Sequence, residues 1–154
     1  MRRYLIAATL VALALPALAT AKGPVSASIS GPGLDRALAI EGNGEGPGAL
    51  GSLATASGFF AQMFVQSPDP TLARRPAGTL GPRYVIVYLV PGPNDIRSRV
   101  TQVVYPYAKP RPLSYLKPGQ AFWEGEKAHG GWYRASAALR RALVRSGLPA
   151  APPA

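Results

Sequence analysis

Arg83-Tyr84-Val85-Ile86-Val87-Tyr88-Leu89-Val90 is the stretch that decides the fold. Its β-branched and aromatic side chains favour a pleated surface, and Pro91-Gly92-Pro93 ends the run. Residues 84–90 are almost wholly apolar, so this strand is expected at the centre of a sheet with both faces covered. Arg99-Val100-Thr101-Gln102-Val103-Val104-Tyr105 reads as its antiparallel neighbour, reached through Pro91–Ser98. The expected fold is a single α+β domain over 22–149, with a small antiparallel sheet centred on 83–105 and two helices.

Upstream, Val25-Ser26-Ala27-Ser28-Ile29-Ser30 alternates apolar and polar as a half-buried strand does. Gly31-Pro32-Gly33 forces a turn, and residues 36–41 are its return strand. Gly42 to Gly48, with glycine at every second position, is a flexible loop without the Lys-Ser/Thr ending of a phosphate loop. Leu50, Leu53, Ser57, Phe60 and Phe64 recur at the helical spacing and predict a helix over 49–65. Gly51 and Gly58 oppose it, each by about 1 kcal/mol relative to Ala. Gln66 to Pro82, rich in Pro, Arg and Gly, reads as an extended surface loop.

Downstream, Pro106, Pro110, Pro112 and Pro118 divide the chain into short extended pieces, and Leu113–Leu116 is expected as an edge strand. Ser136 is a good N-cap, Leu139, Ala142 and Leu143 make one apolar stripe, Gly147 stands where a C′ glycine belongs, and Pro149 stops the helix. Residues 150–154 read as a frayed tail.

Residues 1–21, MRRYLIAATLVALALPALATA, are expected to be a cleaved secretory signal peptide. Arg2 and Arg3 form its positive start, Tyr4 to Leu15 its apolar run, and Ala17-Leu18-Ala19 and Ala19-Thr20-Ala21 two overlapping cleavage sites. Retention as a membrane anchor is the competing reading; Tyr4 to Ala21 falls short of the about 20 apolar residues of a spanning helix and is interrupted by Pro16. A twin-arginine route fits less well, because no Ser or Thr precedes the arginines. Cleavage places the domain outside the cytoplasm, secreted or associated with the cell envelope.

Setting Arg2 and Arg3 aside from the seventeen Lys and Arg leaves fifteen against seven Asp and Glu. Outside a cell such an excess favours anionic partners, an envelope polymer or a membrane surface, and nucleic acid is not expected. Without cysteine, stability rests on a hydrophobic core, and thiol catalysis, iron–sulfur clusters and cysteine zinc sites are excluded. The residues call for no cofactor and no metal, and the oligomeric state is left open.

Catalytic candidates are few. Ser114-Tyr115-Leu116-Lys117 matches the S-x-x-K pattern of wall-active serine hydrolases, in which Lys sits one helical turn after the nucleophile. Pro112 before it and Pro118-Gly119 after it argue against a helix, and S-D-N and K-T-G are absent. His129 is the only histidine; Glu124 and Glu126 lie near it in sequence, and Asp35, Asp69 or Asp95 would complete a Ser-His-Asp arrangement. A single His with two glutamates falls short of the three or four ligands of a stable metal site.

The aromatic group carries more. Tyr105, Tyr107, Tyr115, Trp123, Trp132 and Tyr133 are interleaved with Lys109, Arg111, Lys117 and Lys127, and Arg134 follows at once. Aromatic faces stack on sugars while nearby cations attract anions, so residues 105–134 are the candidate surface for an anionic envelope component. The competing expectation is structural, with Trp123 and Trp132 anchoring the last helix on the sheet.

Gly81-Pro82-Arg83-Tyr84, Tyr105-Pro106-Tyr107-Ala108, Lys117-Pro118-Gly119-Gln120 and Gly130-Gly131-Trp132-Tyr133-Arg134 together resemble uncharacterised small secreted bacterial proteins over about 81–148. The resemblance implies an exported α+β domain and brings no activity or catalytic residue. Three functions follow in order: a non-enzymatic envelope-binding module, a small secreted or wall-active hydrolase, and a partner or inhibitor domain presenting the Gln66–Pro82 loop.

Overall fold

The computed structural model describes residues 23–154; the signal peptide expected at 1–21 lies outside the described residues. In chain order, β1 (Ser26–Ser30) and β2 (Leu38–Glu41) precede α1 (Ala49–Ala56), α2 (Phe59–Met63) and β3 (Thr71–Leu72). Then come β4 (Tyr84–Pro91), a 3₁₀ turn at Pro93–Asp95, β5 (Arg97–Tyr105) and β6 (Leu113–Leu116). A small hairpin of β7 (Ala121–Phe122) and β8 (Glu126–Lys127), then β9 (Gly131–Arg134) and α3 (Ala137–Arg145), complete the chain. Seven strands form one antiparallel sheet in the order β2-β1-β4-β5-β6-β9-β3. The domain is thus α+β, with a larger sheet than expected and three α-helices instead of two.

β4 is central, but only one of its faces is covered. Tyr84, Ile86, Tyr88 and Val90 are buried while Val85, Val87 and Leu89 between them are only half-buried. The helices all pack on the first face: Leu50, Leu53, Phe59, Met63, Leu139 and Leu143 join Ile29, Ile86, Tyr88, Val100 and Leu116 in one core. On the opposite face Val85, Val87 and Leu89 are flanked by Ser30, Ser28 and Ser26 of β1 and by Val103, Thr101 and Arg99 of β5, so that face is mostly polar around them.

The helix expected over 49–65 is broken. Gly58 takes a left-handed backbone (φ 72°), which separates α1 from α2. A Cβ there would also lie 2.3 Å from Tyr133 Cδ1, so both conformation and space demand glycine. Leu113–Leu116 is interior, flanked by β5 and β9, because Pro112 and Pro118 lie outside the strand and leave its N–H groups free to pair. The Gln66–Pro82 loop itself supplies β3, the edge strand beside β9. Ser136 caps α3 through its side chain at 3.2 Å from Ala138 N, and Gly147 follows with φ 118°. Past the helix, Tyr107 donates to the Pro149 carbonyl and Arg140 to that of Ala150.

Candidate functional site

The uncovered sheet face collects the aromatic residues that the sequence singled out, though only half of them. Pairing registers place Leu72, Trp132, Tyr115, Val103 and Val85 side by side across β3, β9, β6, β5 and β4. Tyr105 lies in the adjoining row, next to Leu113 and Arg134. Trp132 is the middle of the group: its ring is 4.9 Å from that of Tyr115 and stacks on Tyr105 at 6.0 Å, with 21° between the planes. All three rings are half-exposed. Ring faces in such a row offer a flat, amphipathic platform.

The other three aromatic candidates do not join them. Tyr107 is 8% exposed, lies 6.2 Å from Tyr84 and carries Arg140 over its ring at 5.4 Å. Tyr133 points to the helical side, its ring against Gly58. Trp123 has a left-handed backbone (φ 50°) and ties the β7–β8 hairpin to the β4–β5 connection, donating from Nε1 to Pro91 O at 2.8 Å and from its backbone N to Ser98 Oγ at 3.0 Å. Neither tryptophan anchors the last helix; Leu139, Ala142 and Leu143 do so themselves.

Charge adds to the platform. Arg97, Arg99 and Arg134 are exposed, and the pairing registers assign them to the uncovered face, with Lys117 just past the end of β6. Among the described residues the one ion pair is His129–Asp69, so no Lys or Arg is neutralised by a salt bridge. The sequence reading missed Arg97 and Arg99. Every second residue of β5 from Arg97 to Tyr105 faces outward, so the strand period, carried back from Tyr105, would have placed them.

The catalytic candidates are kept apart. Ser114 is fully buried on the helical face, donating to Ser57 O at 2.6 Å, while Lys117, an odd number of residues along an extended chain, is exposed. His129 meets Asp69, one of the three aspartates considered, at 2.8 Å through Nε2, and Thr71 Oγ1 lies 3.2 Å from the same nitrogen. A relay needs the acid on one ring nitrogen and the nucleophile on the other, so this geometry clasps β3 to the segment before β9. The backbone N–H of Thr71, then its hydroxyl, then His129 hold the Asp69 carboxyl below its ordinary pKa. Glu124 accepts from Asn94 at 3.3 Å, Glu126 is exposed on β8, and neither bonds to His129. Among the described residues no group of three or more His, Asp or Glu is placed to hold a metal ion.

A buried polar network lies beneath the sheet's helical face. The break after α1 leaves the Ser57 carbonyl without a helical donor, and Gln102 Nε2 (3.1 Å) and Ser114 Oγ (2.6 Å) supply two. Gln102 also donates to Gln62 Oε1 at 2.6 Å and accepts from Tyr88, and Gln62 donates to Gly131 O at 2.7 Å. These residues are interlocked and shut away from solvent, which makes them structural. No protein-family model matches the chain, and neither a curated protein nor a solved structure does.

Proposed function

We propose that this chain is an exported, non-enzymatic domain that binds an anionic cell-envelope polymer on the uncovered face of its sheet. The observation that carries the reading is the group of Tyr105, Trp132 and Tyr115 on a face without helices, with Arg134 in the adjoining row and Arg99 and Arg97 about 13 and 20 Å further along β5. Aromatic faces stack on sugar rings, and unpaired guanidiniums attract carboxylate or phosphate groups in bidentate geometry. The leader at 1–21 is removed on export, leaving the basic domain at the envelope.

Purified cell walls incubated with the protein and washed at rising salt test this directly. The wild type is retained at low ionic strength and eluted as added salt shortens the screening length to about 10 Å or less. Trp132→Ala lowers retention about tenfold at unchanged melting temperature. Failure of the wild type to bind at low salt overturns the reading. Sequencing the exported protein gives Thr20 or Lys22 at its N-terminus; Met1 would instead mean a retained anchor.

A further inference from the structure

On the helical side of the molecule, a cleft of about 590 Å³ opens between α1 and α3. Arg111 and Arg145 line it, with Arg134 of the sheet face at its border, and no Asp or Glu does. None of the three is in an ion pair; Glu41 borders a separate groove that shares Arg145, again without pairing to it. Ser52, Thr55 and Ser136 line the same space, the Ser136 hydroxyl also capping α3. The cleft exists because small residues line the two helices: Gly51, Ala138 and Ala142. A Cβ on Gly51 would stand 1.9 Å from Gly46 O, so the glycine-rich loop closes directly on α1 and forms one rim.

The charges are distributed along the cleft. Arg111 adjoins the start of α3, since Ala135 N donates to Pro112 O, and Arg145 ends the helix about 13 Å from the Ser136 cap at the rise of an α-helix. One oxyanion cannot neutralise cations spread over that length, whereas a chain bearing anions at intervals can. Guanidiniums match phosphate oxygens in bidentate fashion, and hydroxyls pair with the alcohol groups between them.

We infer that this cleft binds a phosphodiester-linked polyol or sugar chain. It shares Arg134 with the sheet platform but none of the aromatic rings, so variants at Arg111 and Arg145 test it apart from that face. The same chemistry occurs in wall polymers and in lipid headgroups, and the separation of Arg111 from Arg145 commits the inference to the polymer.

Titration of the protein with a synthetic glycerol phosphate trimer, followed by calorimetry and amide chemical shifts, tests it. Saturable binding with shifts at Ser52, Thr55 and Ala138 is expected, tighter than for glycerol 3-phosphate. The double variant Arg111→Gln/Arg145→Gln weakens trimer binding about tenfold or more at unchanged melting temperature, and Trp132→Ala leaves it unchanged. Three results each overturn the inference: no saturable binding, equal affinity for a galacturonate trimer, or a double variant that binds as the wild type does. Stronger capture by phosphatidylglycerol vesicles than by the trimer overturns the assignment to a polymer.

Discussion

Tyr84 and Tyr88 stand two residues apart on the same buried face, yet their hydroxyls end differently. Tyr88 lies 3.1 Å from Ser57 Oγ and donates to Gln102 at 3.3 Å. The Tyr84 hydroxyl is buried with no partner. An unmatched buried hydroxyl costs about 1–3 kcal/mol of desolvation, and a matched one contributes about 1 kcal/mol. Tyr84→Phe is therefore expected to be neutral or stabilising by about 1 kcal/mol in urea unfolding, and Tyr88→Phe to cost about 1–2 kcal/mol, since it strands Gln102 and Ser57. The same burial gives a pH signature. Desolvation, with Tyr107 adding to it, pushes the Tyr84 phenol from 10.0 up to about 12. Its neutral form is the one the fold favours, so the stability it gives is complete below pH 10.0 and disappears as pH rises towards 12. Melting temperatures across that window should fall less steeply in Tyr84→Phe than in the wild type; parallel curves would sink the argument.

At the scale of elements, the break between α1 and α2 organises the interior. It frees the Ser57 carbonyl, and Gln102 and Ser114 on neighbouring strands are placed to receive it. Gly58→Ala combines a left-handed residue with a collision at Tyr133 and should cost about 2–4 kcal/mol, measured by denaturant midpoint. A change below about 0.5 kcal/mol would show that Tyr133 yields freely. Period and propensity alone located β1, β2, β4, β5 and α3, because each owes its identity to residues within itself. The lone glycine inside an apolar period gave too little signal to divide the helix, since its reason is a tyrosine 75 positions away. Leu113–Leu116 looked like an edge for a similar reason: its second neighbour, β9, lies beyond a hairpin that the sequence does not announce. Trp132, Tyr115 and Tyr105 were legible as a candidate surface, while the inward turn of Tyr107 and Tyr133 depends on partners at Pro149 and Gly58.

Over the whole molecule, cations outnumber acids about two to one, and one His–Asp contact is the sole ion pair among the described residues. Self-repulsion in such a charge distribution weakens the compact state until salt screens it. Melting temperature should accordingly rise by several degrees between low and moderate ionic strength in a non-binding buffer, as scanning calorimetry would read; a fall would mean that attractions among surface charges dominate. The margins of the sheet limit a different kind of association. One margin is β2, four residues long, and the other is β3, two residues held between Pro70 and the Ala73-Arg74-Arg75 segment. A strand so short, with proline on one flank and arginines on the other, offers almost no ladder for an incoming chain. Copies at high concentration therefore have no ready route to fibres through their sheet margins.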